Sequence, residues 1–507
     1  MIQYQSRTRA FLRNTVSSLV LQLVTVLVGF IVPFVIIGTY GSETNGLVAS
    51  LDQCVAYIQL VEAGISAAAI VQLYKPLAED DLKKVNAIVS AAKVFYYKSG
   101  GIFTALIFAL AAVYPLFFTV DGMSYSETAV LVVALGATGF LDFFLLAKYR
   151  VILSATQHNW VIQLGTILYK ILYVVVVVLF ARSDASVTIV YLVAIAPILI
   201  RSLVLIMYVR RKFPAVSFSG KSDSIKLEQR WDAFFLQVLG AVQNGVPIII
   251  ATFILNDLAM VSVFSIYMLI ANGLQTALNS FSQGTQASFG DVIARGQSET
   301  LKKAFKEFQV LAYGVSGIAC GIALALIIPF VELYTNSIAD TNYVYPAIGF
   351  LAIVNVMLYH LKTPQGLLVM AAGLYHDTRP QTSIQTIILL VGSVGFGLLW
   401  GAPGILLGMC LSNIYRDIDL MVYIPKKVTH TKPSETLRFM ALAALLCLLV
   451  AIPYFLLGIT CVNWFQWIGS GVALGAWGIV LAVVLYYFFA RDQLKGIVKR
   501  MKRLLGR

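Results

Sequence analysis

Apolar residues run along this chain in long unbroken stretches, each ended by a short polar or charged segment. A helix that crosses a bilayer needs about 20 mostly apolar residues. Fourteen segments meet that requirement: about 14–38, 46–73, 97–120, 127–147, 161–181, 187–209, 233–255, 259–288, 308–331, 342–361, 383–400, 403–424, 437–459 and 464–490. Several are longer than a bilayer needs, so those helices must tilt, kink or extend past the lipid. The runs are continuous rather than alternating, which excludes a membrane β-barrel. Arg7, Arg9 and Arg13 precede the first run, which lasts from about residue 16 to 37. A cleavable signal has a shorter apolar core and a small-residue cleavage site, so this run reads as a retained first span. The fold class expected is an all-α polytopic membrane protein.

Composition agrees. Of the 507 residues, 59% are hydrophobic and only 12% charged, with a mean hydropathy of +0.84. An ordinary soluble domain carries about 25% charged residues. Disorder, a secreted disulfide scaffold and a water-soluble globule are excluded. Cys54, Cys320, Cys410, Cys447 and Cys461 lie in or beside apolar runs and form no CxxC pair, so they read as small core residues. The four histidines show no metal-binding spacing, and no metal or cofactor is expected.

The chain has 37 Lys and Arg against 24 Asp and Glu, a net +13. The bases gather in every second loop: Arg7 to Arg13, Lys75 to Lys98, Lys148 to Arg150, Arg210 to Arg230, Arg295 to Lys306, Arg379, Lys426 to Arg438, and Arg491 to Arg507. The alternate loops are short and acidic. The positive-inside rule then places both termini in the cytoplasm, in agreement with an even number of spans. The basic tail follows a span directly, so anionic lipid headgroups are its expected partner, and no nucleic acid is implied. Most of the positive excess is a topology signal.

The chain also repeats. An offset of 214 places Pro33 on Pro247, Gly100 on Gly314, Pro115 on Pro329 and Lys148 on Lys362. An offset of 215 places Arg201 on Arg416, Tyr208 on Tyr423 and Arg211-Lys212 on Lys426-Lys427. This pattern predicts an amino-terminal six-helix bundle over 1–214, a second over 215–430, and two appended spans with a basic tail over 431–507. Halves with six spans each share one orientation and are related by an axis along the membrane normal, with a substrate site expected between them. Pro33, Pro115, Pro197, Pro247 and Pro329 lie in or near spans, where each favours a kink.

A charge within the lipid costs about 2.5–3.5 kcal/mol on insertion scales, so intramembrane charges face a cavity or a partner. Lys170, Arg201 and Arg416 lie in spans, and Lys148 and Lys362 lie at span ends. If they face inward they make a positive inner mouth suited to an anion such as phosphate, which Arg can hold as a fork and Lys as a point charge. Snorkelling to headgroups is the alternative. Asp52, Glu62 and Asp142 are the acids within spans. They suit pairing with a buried base or, alternatively, coupling to an ion. The eighth span carries Asn272, Gln275, Asn279, Gln283 and Gln286, spaced 3, 4, 4 and 3 apart and so on one helical face. Amides both donate and accept, which suits hydroxyl-rich ligands, although interhelical hydrogen bonding is the plainer alternative.

The first two spans carry Asn14, Pro33, the turn Tyr40-Gly41-Ser42-Glu43-Thr44-Asn45-Gly46-Leu47, and Glu62-Ala63-Gly64-Ile65-Ser66. With the size, the span count and the six-plus-six repeat, this resembles the Wzx-like polysaccharide and oligosaccharide flippases of the multidrug/oligosaccharidyl-lipid/polysaccharide (MOP) exporter superfamily. The resemblance covers the whole chain. It implies a non-enzymatic exporter in the bacterial cytoplasmic membrane that carries undecaprenyl-pyrophosphate-linked sugar to the outer leaflet through a cationic cavity. Proton or sodium coupling and polysaccharide-assembly partners would fit. A lipid II flippase shares the architecture. A multidrug antiporter of the same superfamily usually has twelve spans and a carboxylate in the first or seventh, where this chain has only Asp232 at the start of the seventh. Asp417-Ile418-Asp419 looks like the DxD of glycosyltransferases, but no soluble nucleotide-sugar domain accompanies it.

Overall fold

The computed structural model describes residues 7–63, 65–219, 230–283 and 285–504. Every regular element among them is a helix. Among the described residues eleven helices are long and apolar enough to cross a membrane. One of these, His376–Thr429, has a backbone reversal at Gly401 and accounts for two of the expected spans. The protein is thus an all-α, multi-pass membrane protein, and twelve of the fourteen expected spans coincide with these helices, while 46–73 and 233–255 fall on no described helix of that length and hydropathy.

Contacts divide the chain into two compact units, Met1–Ile249 with Asp257–Ser262, and Ile250–Asn256 with Val263–Arg507.

The first unit begins with α1 (Arg7–Tyr40), followed by α2 (Ser42–Gln59), α3 (Ile65–Ala78), α4 (Leu82–Val113), α5 (Tyr125–Leu141), α6 (Ala147–Ala155), α7 (Asn159–Ala181), α8 (Val187–Val193) and α9 (Ala196–Lys212). It also contains most of α10 (Arg230–Leu255) and the start of α11 (Leu258–Gln283). α1 packs against α7, and Asn14 ties the two together. Its amide donates to the Gln157 carbonyl at 3.2 Å, and its Oδ1 accepts from the Trp160 backbone N–H at 2.8 Å. A residue distant in sequence thereby satisfies one of the free amides that open α7. Ser17, one turn on, bonds Gln163.

The Tyr40–Leu47 turn is a packing device. Gly41 has φ +85, a conformation that favours glycine. A Cβ on Gly46 would lie 1.8 Å from the Leu258 carbonyl oxygen, so only glycine admits this approach. Beside it the Asn45 amide donates to the Ser262 hydroxyl at 2.8 Å. The second expected span is broken. α2 ends in a tight turn at Leu60–Glu62, and Ala63 leaves the helical region (ψ +136) before α3 resumes. The fourth is interrupted by a π turn at Asp142–Leu146 between α5 and α6. Such one-turn widenings are frequent at functional positions. Both interruptions fall on an intramembrane acid.

The second unit continues α11 and adds α12 (Gln286–Ala294), α13 (Ser298–Tyr334), α14 (Pro346–Ala371), α15 (Tyr375–Ile424), α16 (Pro433–Leu456), α17 (Trp464–Phe489) and α18 (Arg491–Leu504). α13 has 37 residues, about 55 Å at 1.5 Å per residue, and so outruns a hydrocarbon core of about 30 Å. α15 folds back at Gly401 (φ +64), and its two arms touch along glycines. A Cβ on Gly404 would meet the Phe396 carbonyl oxygen at 1.9 Å, and one on Gly408 the Ser393 nitrogen at 2.2 Å. α16 and α17, the two appended spans, pack on α13. Gly317 and Gly321 of α13 lie against the Ala443 and Cys447 carbonyls of α16. α18 is amphipathic and also rests on α13, where Arg500 Nε lies 2.5 Å from the buried Glu307 carboxylate. Many large aliphatic and aromatic side chains on the span helices are exposed, as suits a lipid-facing surface.

Candidate functional site

In the first unit the two helix interruptions and two arginines converge. Asp142, in the π turn, holds Arg150 Nη2 at 2.6 Å and Arg201 Nη1 at 3.8 Å. Glu62, at the break between α2 and α3, reaches the same Arg150 Nη2 at 3.3 Å. All four side chains are largely buried, and Arg201 is 11% exposed. Two acids and two bases balance, which is how a charged cluster persists away from water. The guanidiniums keep unused capacity, since Arg150 Nε and Arg201 Nε are buried without a hydrogen-bond partner. Arg150 also lines a pocket of about 250 Å³ with Ser66, Ser154, Asn159 and Gln163. Four neutral polar groups around one guanidinium can receive a ligand bearing hydroxyls or phosphate oxygens.

Lys170 on α7 is half-buried, with Arg201 as a like-charged neighbour. Lys148 turns elsewhere: its ammonium donates to the Tyr97 hydroxyl at 3.0 Å and lies 5.3 Å from the Tyr97 ring centre. Asp52 is exposed on α2 and interacts electrostatically with Tyr169, Tyr173 and Tyr191. Glu62 and Asp142 therefore pair with bases, while Asp52 pairs with none among the described residues.

In the second unit Lys362 of α14 is 8% exposed and meets the end of a small amide network. Its ammonium donates to Asn413 Oδ1 and lies 4.8 Å from the Tyr359 ring centre. The other end of Asn413 donates to Asn355 Oδ1 at 2.8 Å, and Gln385 Nε2 donates to Asn413 Oδ1 at 3.4 Å. Asp417, one helical turn beyond Asn413, is 7% exposed, and neither of its oxygens has a hydrogen-bond partner. Arg416 pairs with Asp419 at 2.5 Å. Asp417 and Asp419 are two positions apart on one helix and point apart, so this DxD is not a metal-binding pair. Among the described residues no three His, Cys, Asp or Glu side chains form a metal-binding group.

The amide stripe is partly engaged within its own unit. Gln275 is buried, and Tyr359 bonds both Gln275 and Asn279. Asn272 is half-buried on the same helix. The side chain of Gln283 lies outside the described residues. The inner-mouth bases thus fall into different settings: Arg201 in an acid-balanced cluster, Lys148 against an aromatic ring, Lys362 at the end of an amide network, Arg416 in a local pair.

Sequence reasoning missed Arg150, grouped there with the loop charges, and the Asn355–Gln385–Asn413 network. The signal for Arg150 was its spacing, since it lies two turns after Asp142 on the same span. The network had no such signal, because its members come from three distant stretches.

No family profile and no curated protein matches the chain. Solved structures do. The chain is similar to an inward-facing multidrug resistance MATE family transporter of the MOP superfamily, at TM-score 0.65 and 14% identity, over 82% of this chain and 95% of that one. It is similar to the lipid II flippase MurJ in an inward closed conformation, at TM-score 0.63 and 13% identity, over 95% of this chain and 99% of that one. It is also similar to a MOP superfamily transporter from Pyrococcus furiosus described as having a binding pocket of reverse polarity, at TM-score 0.51 and 15% identity. At these identities the likeness establishes the fold: the chain has the fold of MOP superfamily transporters.

Proposed function

We propose that this chain is a membrane transporter that moves lipid-linked oligosaccharide or polysaccharide repeat units, carried on undecaprenyl pyrophosphate, across a bacterial cytoplasmic membrane by alternating access. In this reading it is not an enzyme, and both termini are cytoplasmic. The observation that carries it is the polar pocket of the first unit, where Arg150 stands among two hydroxyls and two amides. Arg150 and Arg201 meet the phosphates. Ser66, Ser154, Asn159 and Gln163 meet sugar hydroxyls. Taking such groups through lipid unaided is very costly, and a polar path with the polyprenyl tail left in the bilayer lowers that barrier.

A lipid II flippase is the second reading. The MurJ-like fold spans 95% of this chain, against 82% for the MATE structure, and so extends over nearly all its helices. A reconstituted assay tests both. Proteoliposomes carry a fluorescent lipid-linked oligosaccharide or fluorescent lipid II, and an impermeant quencher reports the outer-leaflet fraction. The wild-type chain is expected to accelerate movement of the oligosaccharide. Arg150→Ala should slow it by about tenfold or more, since a charge-assisted hydrogen bond is worth about 1.5–3 kcal/mol. Arg150→Lys, which keeps the charge without the fork, should fall between. Transport of a cationic dye with no movement of either lipid would overturn the reading.

A further inference from the structure

The amide cluster belongs to the second unit, and its chemistry differs from that of the polar pocket. A cation, the Lys362 ammonium, stands at its end. Asn413 is held in one orientation, because its Nδ2 is spent on Asn355 and its Oδ1 therefore faces Lys362. Gln385 donates to the same oxygen. One helical turn beyond Asn413, Asp417 is buried with both oxygens unpartnered, and Lys362 is the base that acts on it electrostatically. A buried carboxylate without a hydrogen bond is costly, and a protonated carboxyl in the same place costs far less. A lysine directed at an amide instead of a nearby carboxylate has the arrangement expected when that carboxyl is neutral.

We propose that Lys362 and Asp417 form a one-proton exchange site. With Asp417 ionised, the ammonium pairs with the carboxylate. A proton from water then forms one O–H bond on Asp417, the carboxyl becomes neutral, and the ammonium transfers to Asn413. One proton is taken up, and Lys362 keeps its own throughout. The move shifts contacts between α14 and the returning arm of α15. Other groups face the pair. On α14, His360 bonds the Gln275 backbone and acts electrostatically on Lys362, and its Nε2 is buried without a hydrogen-bond partner. On α15, Arg416 holds Asp419. On α13, Tyr313 donates to the Leu361 carbonyl, and Glu307 faces Arg500. On α12, Asp291 pairs with Arg295. A coupling role for the site rests on the transport reading above; proton exchange at the site does not.

The test uses the purified full-length protein in nanodiscs. Infrared difference spectra across pH are expected to contain one carboxylic-acid band that Asp417→Asn removes and Lys362→Arg retains. Lys362→Met should displace its midpoint by about one pH unit or more, since it deletes a neighbouring charge. If Asp417→Asn does not express, that displacement decides alone. The melting temperature of the wild type should be the same in sodium as in choline. A titrating band that survives Asp417→Asn, no displacement in Lys362→Met, or a sodium-dependent rise in melting temperature that Asp417→Asn abolishes would each overturn the proposal. In proteoliposomes a pH gradient should bias lipid-linked sugar movement by the wild type, and Asp417→Asn should remove that bias while leaving slow equilibration. If the wild type moves no lipid-linked sugar, the transport reading fails and the spectroscopic result still stands.

Discussion

Asp142 is the hinge of the acid–base cluster, and its removal gives a sharp energetic expectation. Its Oδ2 lies 2.6 Å from Arg150 and its Oδ1 3.8 Å from Arg201. Asp142→Ala leaves Arg150 with Glu62 at 3.3 Å and leaves Arg201, 11% exposed, with no acid among the described residues. Breaking a buried pair from one side costs about 3–5 kcal/mol. The acid itself is 19% exposed, which places the expected loss at the lower end, about 3 kcal/mol. Glu62→Ala is different, because Arg150 keeps its shorter bond to Asp142. Its expected cost is about 1 kcal/mol, below the usual range for a charged hydrogen bond because Glu62 is 30% exposed. Reversible unfolding in mixed micelles, titrated with SDS, measures both. The double variant Asp142→Ala/Arg201→Ala should recover part of the loss, with a coupling above about 0.5 kcal/mol. Equal costs for the two acid variants, or strict additivity of Asp142→Ala and Arg201→Ala, would refute the shared-acid account.

Other expectations follow from packing and capping. Gly404→Ala and Gly408→Ala should each destabilise by about 1–3 kcal/mol through overpacking of the α15 hairpin, while Gly395→Ala, with nothing within 4 Å of its Cβ position, should be neutral or better; detergent melting curves discriminate. Asn14→Ala should cost about 1 kcal/mol by uncapping α7, and amide exchange should rise at Trp160 before the rest of the helix. Arg500→Ala should cost about 1–3 kcal/mol because it strands a carboxylate whose side chain is 6% exposed. Lys302→Ala, whose partner Glu299 is 89% exposed, should change the melting point little.

The span pattern was legible because lipid imposes it locally. A segment must be long, apolar and internally hydrogen-bonded to cross a bilayer, and each of those conditions is met or failed within about 20 residues. Gly46 and the Tyr40–Leu47 turn were visible as a motif but not as a device. Their meaning lies in the Leu258 carbonyl, which is brought to 1.8 Å of the would-be Cβ from more than two hundred positions away. The break at Glu62 and the π turn at Asp142 were hidden inside apolar runs that read as single helices, because an interruption of a few residues barely changes local hydropathy.

The sequence by itself determined that this chain is a helical membrane protein, roughly where its spans lie, and which few charges had to find partners in the membrane. Which partners they found was decided only by tertiary structure. Arg150, Arg201, Lys148, Lys362 and Arg416 are alike as members of a basic set, yet the fold sets two on acids in one cluster, one on an aromatic ring, one at the end of an amide network and one on a neighbouring aspartate. Hydropathy is a property of a segment. Electrostatic pairing depends on separations of a few ångströms between segments, and only the packed helices set those.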